Sequence, residues 1–229
     1  MRSGPGSNRC CRIEGSRVVV TGGSIELQGE AHAAGELEWV VSADSTIARA
    51  NQHAPAPAVA TPGAVSNHKD LRAESADHAL GRSRGGLTTR AHLSVDRCGR
   101  PLSVLLTPGQ APDNPLLIPV LEAIAVPARG GGPRPRSRRD RLIADKAYSH
   151  LSTRKALRQK GIRAVIPENS DQLARRQAKG SRGGRPPEFD AETCRDRNLV
   201  ERTFNRLKQW RGIATRYDKH ARNHRAGTC

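Results

Sequence analysis

The stretch Cys194-Arg-Asp-Arg197-Asn-Leu-Val-Glu201-Arg-Thr-Phe204-Asn-Arg-Leu207-Lys208 decides how the rest of the chain is read. At about 100° per residue, its spacings of three, four and seven put Cys194, Arg197, Glu201 and Lys208 on one face of an α-helix. Val200, Phe204 and Leu207 form an apolar stripe beside that face. One flank of such a helix is buried, and the other presents a carboxylate between two cations. Taken alone, Arg197 and Glu201 are an exposed i,i+4 pair worth roughly 0.2–0.5 kcal/mol, and surface pairs of this kind are common. Two other segments change the weight of that reading.

Each is an apolar run ending in an acid. Leu37–Asp44 (Leu-Glu-Trp-Val-Val-Ser-Ala-Asp) and Leu142–Asp145 (Leu-Ile-Ala-Asp) read as strands with an aspartate at the C-terminal end. Between them, Leu87–Val95 and Pro101–Thr107 read as two strands joined by a tight turn, Asp96-Arg-Cys-Gly-Arg100. Asn114–Ala125 suggests a short helix capped near Asp113 or Asn114, with Pro119 working against it. Ser149–Lys160 reads as a helix ending at Gly161, Ile162–Pro167 as a strand, and the opening stretch as part of one helix from about Ala191 to Trp210. Early strands followed by alternating helix and strand predict an α/β fold, a mixed sheet with helices on both faces. In such a sheet, Asp44 and Asp145 at strand ends converge with Glu201 from the late helix.

The remaining segments are connections. Residues 1–34 form a poorly defined N-terminal segment, with Arg17–Thr21 its only strand-like run. A core over 35–212 carries a loop insertion near 54–76, where Pro and Ala dominate the start. Asp77–Gly86 is basic and Gly-rich, a weak phosphate-binding signal without a Gly-x-x-x-x-Gly-Lys pattern. Arg129–Arg141 holds six arginines and reads as a surface loop. Ser170–Pro187 reads as flexible, and 213–229 as a basic tail that stops without an apolar closing element.

Lys and Arg number 39 against 22 Asp and Glu, a net charge of +17, which favours a polyanionic partner, nucleic acid before membrane. Aromatic residues are only 3%, which argues against broad base-stacking platforms. No apolar run of about 18 residues is present, so nothing spans a membrane. The N-terminus lacks the apolar run of a secretory signal, and the expected location is cytoplasmic. The five cysteines show neither a Cys-x-x-Cys pair nor zinc spacing and read as free thiols. Among the histidines only His220 and His224 are close in sequence, in a basic tail that repels a cation. Three carboxylates at one site repel unless positive charge lies between them. Hard divalent cations take oxygen ligands, and two of them about 3.5–4 Å apart activate a water and stabilise the leaving oxygen of a phosphodiester.

Arg197, three residues, Glu201, six residues, Lys208 resembles the C-terminal signature of bacterial insertion-sequence transposases with an aspartate–aspartate–glutamate triad. Val40-Val-Ser-Ala-Asp44-Ser-Thr46, Asp77-His-Ala-Leu-Gly-Arg-Ser-Arg-Gly-Gly-Leu-Thr-Thr89, Leu105-Leu-Thr-Pro-Gly-Gln110, Ala144-Asp145-Lys-Ala-Tyr148 and Asn205-Arg-Leu-Lys-Gln-Trp-Arg-Gly-Ile-Ala-Thr-Arg-Tyr-Asp218 are similar to the same group, in the same order. The likeness is to the insertion-sequence-five type and covers roughly residues 33–225. It implies a ribonuclease-H-like fold and a DNA transposase that cleaves and joins strands at element ends by hydrolysis and transesterification. It implies Asp44, Asp145 and Glu201 as catalytic metal ligands for two Mg²⁺, with Mn²⁺ able to substitute. Arg197 and Lys208 are the implied DNA-binding positions. The implied partner is double-stranded DNA, both element ends and target, with a homo-oligomer as the active form. Cys194 stands where the signature has a tyrosine, and both ends are shorter than in typical members, which implies a truncated or degenerate copy. The alternative is a non-catalytic DNA-binding remnant of a transposase.

Overall fold

Strand β1 (Val40–Ala50) is the axis of a seven-stranded mixed sheet in the computed structural model, which describes residues 23–51, 54, 78–83, 86–127 and 139–227. Arg17–Thr21, nearly all of the 54–76 insertion, Asp77 and most of the arginine-rich 129–141 segment lie outside the described residues. Along one edge β1 pairs antiparallel with β3 (Gly86–Val95), from Ser42 to Arg49. Along its other edge it pairs in parallel with β5 (Arg141–Ala144) over Val40–Ala43, and then with β7 (Thr215–Arg216) at Arg49 and Ala50. The outer edge of β3 takes β4 (Pro101–Pro108) and β2 (Gly81–Ser83), both antiparallel, and β6 (Arg163–Val165) adds in parallel to β5. This is the α/β, ribonuclease-H-like mixed sheet that the sequence predicts.

The β3–β4 hairpin forms where its turn residues place it. The Asp96 carboxylate accepts the backbone N–H groups of Cys98 at 3.0 Å and Arg100 at 2.7 Å. Gly99 takes φ +76°, a conformation that costs a side-chain-bearing residue about 1–2 kcal/mol. A register shift at Ser94/Val95 puts Leu102 on the opposite face from Val104, so the two leucine- and valine-rich cores both draw on β4.

Strand alternation assigns the faces. Val41 and Ala43 join Leu37, Trp39, Leu142 and Ala144 in the larger core, covered by α2 (Leu117–Glu122) and α3 (Leu151–Gln159) through Leu117, Leu121 and Leu157. On the other face, Ala91, Leu93, Val95 and Val104 pack against Val200 and Phe204 of α6 (Asn198–Lys208). Helix α1 (Gly23–Ala33) lies in the stretch where the sequence shows no pattern. Gln28 Nε2 donates to the Pro101 carbonyl at 2.7 Å, and Ala31 is buried. No helix among the described residues is long and apolar enough to cross a membrane.

Four local expectations need correction. Asp44 is not at the end of its strand: β1 continues to Ala50, because β3 remains paired with it through Arg49 and β7 takes up the second edge. The single helix expected over Ala191–Trp210 is two, α5 (Ala191–Arg195) and α6. They divide at Asp196 and Arg197, whose side chains are drawn to Arg97 (3.1 Å) and Asp145 (2.8 Å) respectively. The stretch read as flexible contains α4 (Ser170–Ala178), tied down by Arg176 on Glu168 at 2.5 Å and by Gln172 Nε2 on the Ser149 carbonyl at 3.1 Å. The C-terminal part forms α7 (Arg211–Ala214), β7 and α8 (Ala221–Ala226), and its closing contact is polar. The fully buried Arg216 guanidinium donates to the carbonyls of His78, Ala79, Asp218 and Lys219.

Candidate active site

Two strands and a helix supply the acids. The β1–β5 ladder ends at the pair Ala43 and Ala144, so Asp44 and Asp145 are the next residue on each strand. One oxygen of each is held by the amide that follows it, Ser45 N–H on Asp44 at 2.8 Å and Lys146 N–H on Asp145 at 2.6 Å. Helix α6 packs over the face of β1 to which Asp44 points and carries Glu201 in its first turn, where the helix dipole favours an anion. Burial is the main cause that pushes the Asp44 carboxyl up to about 6, followed by the charges of Asp145, Glu201 and Asp113, while the Ser45 amide opposes the rise. The three acids named from sequence therefore act on one another across 157 residues of chain, the difference between 201 and 44.

Arg197 is the cation among them. Its guanidinium lies 2.8 Å from Asp145 Oδ1 and 3.7 Å from Glu201 Oε1. Lys208 stands elsewhere. Two helical turns, about 10 Å, separate it from Glu201 along the axis, and Nζ donates to Thr46 Oγ1 at 2.6 Å and to the Ile47 carbonyl at 3.2 Å. That carbonyl lies in the gap along β1 between the end of β5 and the start of β7. Burial lowers the proton affinity of the Lys208 amine. Cys194, on α5 rather than α6, stays within the field of Arg197 and Asp145, and burial pushes its thiol up.

Among the described residues, no three His, Cys, Asp or Glu side chains stand close enough to hold a metal ion as placed. Arg197 occupies the position between Asp145 and Glu201 and balances their charge. The donor chemistry nevertheless suits a hard divalent cation: the donors are carboxylate oxygens, and like charge has already raised the proton affinity of one of them.

Sequence reading missed the polar group behind Asp44. Asp113, expected as a helix cap, makes no capping bond to the 3₁₀ turn Asn114–Leu116. Its carboxylate accepts from Ser45 Oγ and from Arg90 Nη1, both at 2.6 Å, with His92 Nδ1 3.8 Å away. His92 is 2% exposed, and burial lowers its pKa to about 4. Local sequence holds no signal for this group, since Arg90 and Ser45 meet Asp113 only through the pairing of β1 with β3.

A mixed sheet whose adjacent parallel strands each deliver an aspartate beneath a helix bearing a glutamate defines a ribonuclease-H-like nucleic-acid enzyme fold. Residues 35–227 match the family described as Transposase DDE domain, and the chain belongs to it. It is 31% identical over 155 residues, 68% of this chain and 64% of the relative, to a protein assigned as the transposase for insertion sequence element IS402 of Burkholderia cepacia. It is 31% identical over 135 residues, 58% of this chain and 85% of the relative, to one assigned as the transposase for insertion sequence element IS6501 of Brucella ovis. The chain thus spans less than two thirds of the length of the first relative. No solved structure matches it.

Proposed function

We propose that this chain is the catalytic core of a DNA transposase of the insertion-sequence-five type, cutting and joining strands at element ends. One observation carries the reading: Asp44, Asp145 and Glu201, remote in sequence, share one electrostatic neighbourhood in a chain of net charge +17. These three are the proposed metal ligands and catalytic residues. Two Mg²⁺, or Mn²⁺ in their place, supply activation of water and stabilisation of the leaving oxygen when bound. The chain's own part is to hold one oxygen of each aspartate on a backbone amide, present Glu201 from a helix N-terminus, and keep Arg197 against the acids. Arg197 and the more remote Lys208 are the proposed contacts to the DNA backbone, with double-stranded element ends and target as substrates. The working form is a homo-oligomer in the cytoplasm, built on the core at 35–212 with 1–34 and 213–229 flanking it.

The test is strand cleavage of element-end duplex with and without Mg²⁺, with Asp145→Ala as control. Metal-dependent product from the intact chain and none from the variant supports the reading. A second reading, a non-catalytic DNA-binding remnant, has its own support: Arg197 pairs with two of the acids, and no three of the described side chains converge for a metal. Tight DNA binding without a metal-dependent product decides for the remnant.

A further inference from the structure

We propose that Asp113, Ser45 and Tyr148 form a polar brace behind the site, which fixes the spacing of Asp44 and Asp145 and so sets how well they accept a divalent cation. The inference rests on the proposed function above and assigns positioning roles to three residues.

The need for a brace follows from the ladder. Parallel pairing of β1 with β5 covers only four positions and ends at Ala43 and Ala144. The two aspartates come one residue later, where no ladder bond sets their separation, and their like charges push them apart. Some other contact must tie the two segments together.

Ser45 provides that contact. It follows Asp44, and its amide already holds Asp44 Oδ1. Its hydroxyl donates to Asp113 Oδ1 at 2.6 Å and hydrogen bonds with the Tyr148 hydroxyl. With the serine proton committed to Asp113, the tyrosine O–H donates to Ser45 Oγ, so the chain runs Tyr148 to Ser45 to Asp113. Tyr148 is three residues beyond Asp145, at the end of the 3₁₀ turn Lys146–Tyr148, and is 2% exposed. The hydroxyl bond therefore joins the segment carrying one aspartate to the segment carrying the other.

Asp113 anchors the assembly from the loop after β4. Arg90 Nη1 holds it at 2.6 Å, and its own turn makes no claim on its side chain. Ser45 pairs with His92 across β1 and β3, and alternation turns Ser45, Arg90 and His92 to the face opposite Asp44. Asp113 thus sits across the sheet from Glu201. It positions the acids through Ser45 and is not a fourth ligand beside them.

The experiment measures Mn²⁺ affinity by the free-ion EPR signal, together with element-end cleavage and thermal melting, for the full chain and for Ser45→Ala, Asp113→Ala, Tyr148→Phe, Ser45→Thr and the double variant Ser45→Ala/Asp113→Ala. The expected result is about tenfold weaker Mn²⁺ binding and about tenfold or greater loss of kcat in each of the first three, the range for groups that support metal ligands. Affinity for element-end DNA stays unchanged. Ser45→Thr, which keeps the hydroxyl, restores both readouts, and the double variant loses no more than the worse single. Ser103→Ala, which breaks a buried hydroxyl pair on the same face away from the acids, is the structural control and melts lower with Mn²⁺ affinity intact. Wild-type Mn²⁺ affinity in the first three variants overturns the brace and leaves the proposed function standing. So do losses that merely follow melting temperature, as in the control. Absence of Mn²⁺ binding and cleavage in the unmodified chain overturns both.

Discussion

The two faces of β1 are built to opposite specifications. The face under α2 and α3 gathers 15 buried apolar residues around Val41 and Ala43. The face under α6 gathers six, and its β1 positions are Ser42, Asp44, Thr46 and Ala48. One strand thus gives its odd side to the core and much of its even side to polar chemistry. The lesson is that folding free energy comes mainly from one face, which leaves the other able to hold acids that repel. At about 25 cal/mol per Å² of apolar surface, the larger cluster supplies most of the burial, and the smaller carries a local electrostatic cost.

If the faces divide in this way, stability and turnover should respond to different residues. The largest expected effect is on turnover: Asp145→Ala should reduce strand cleavage by about a thousandfold or more, the scale for losing a group that organises charge in an active site. Its melting temperature should stay level or rise, since a charge is removed from among like charges. A melt that falls steeply would show that the acid face supports the fold as well. Next comes Leu121→Ala on the other face, fully buried between α2 and the sheet. Denaturant titration should show a loss of about 2–5 kcal/mol, with cleavage per folded molecule unchanged. Arg216→Met, smaller again, probes the join between the tail and β1. It leaves four backbone carbonyls without their donor. About 2 kcal/mol should be lost, each orphaned acceptor costing part of its desolvation, and hydrogen exchange should quicken in β7 before β5.

How much of this was legible depended on the range of the interaction. Strand alternation and a turn acid were enough to read the β3–β4 hairpin, because Asp96, Gly99 and the flanking apolar residues act within about ten positions. The stripe Val200, Phe204 and Leu207 likewise found its sheet. The break at Asp196 and Arg197 was invisible, since the groups that draw those side chains away, Arg97 and Asp145, are far off in sequence. Asp113 was misread for the same reason: an acid before Asn-Pro looks like a cap until β1 and β3 bring Ser45 and Arg90 to it. Arg216 reads as one more surface charge in a basic tail, and only the fold shows it buried among carbonyls. The likeness of ordered motifs pointed to Asp44, Asp145 and Glu201 where local physics alone left them as turn acids.

The subtlest test of the comparison is Asp44→Asn, because its sign is opposite to that of a core change. The Asp44 carboxyl ionises at about 6 in the folded chain against an ordinary 3.8, pushed up by burial and by Asp145, Glu201 and Asp113. A raised carboxyl means that the folded state holds a proton which the unfolded state has released. Stability contributed by that proton is therefore present below the unfolded value and declines as pH rises from about 4 through about 6. Asparagine imitates the protonated acid at every pH. Without divalent cations, the variant should match the unmodified chain below pH 4 and exceed it above pH 6, by on the order of 1–2 kcal/mol once partial exposure is discounted. His92 and His224, both lowered to about 4 by burial, act the other way, since their stability is lost as pH falls below their ordinary 6.5. They are shared by both proteins and cancel in the difference. Denaturant titrations of the pair at several pH values read that difference directly. A flat difference, or one largest in acid, would mean that Asp44 is no strained acid, and the contrast between the two faces of β1 would then lie in packing alone.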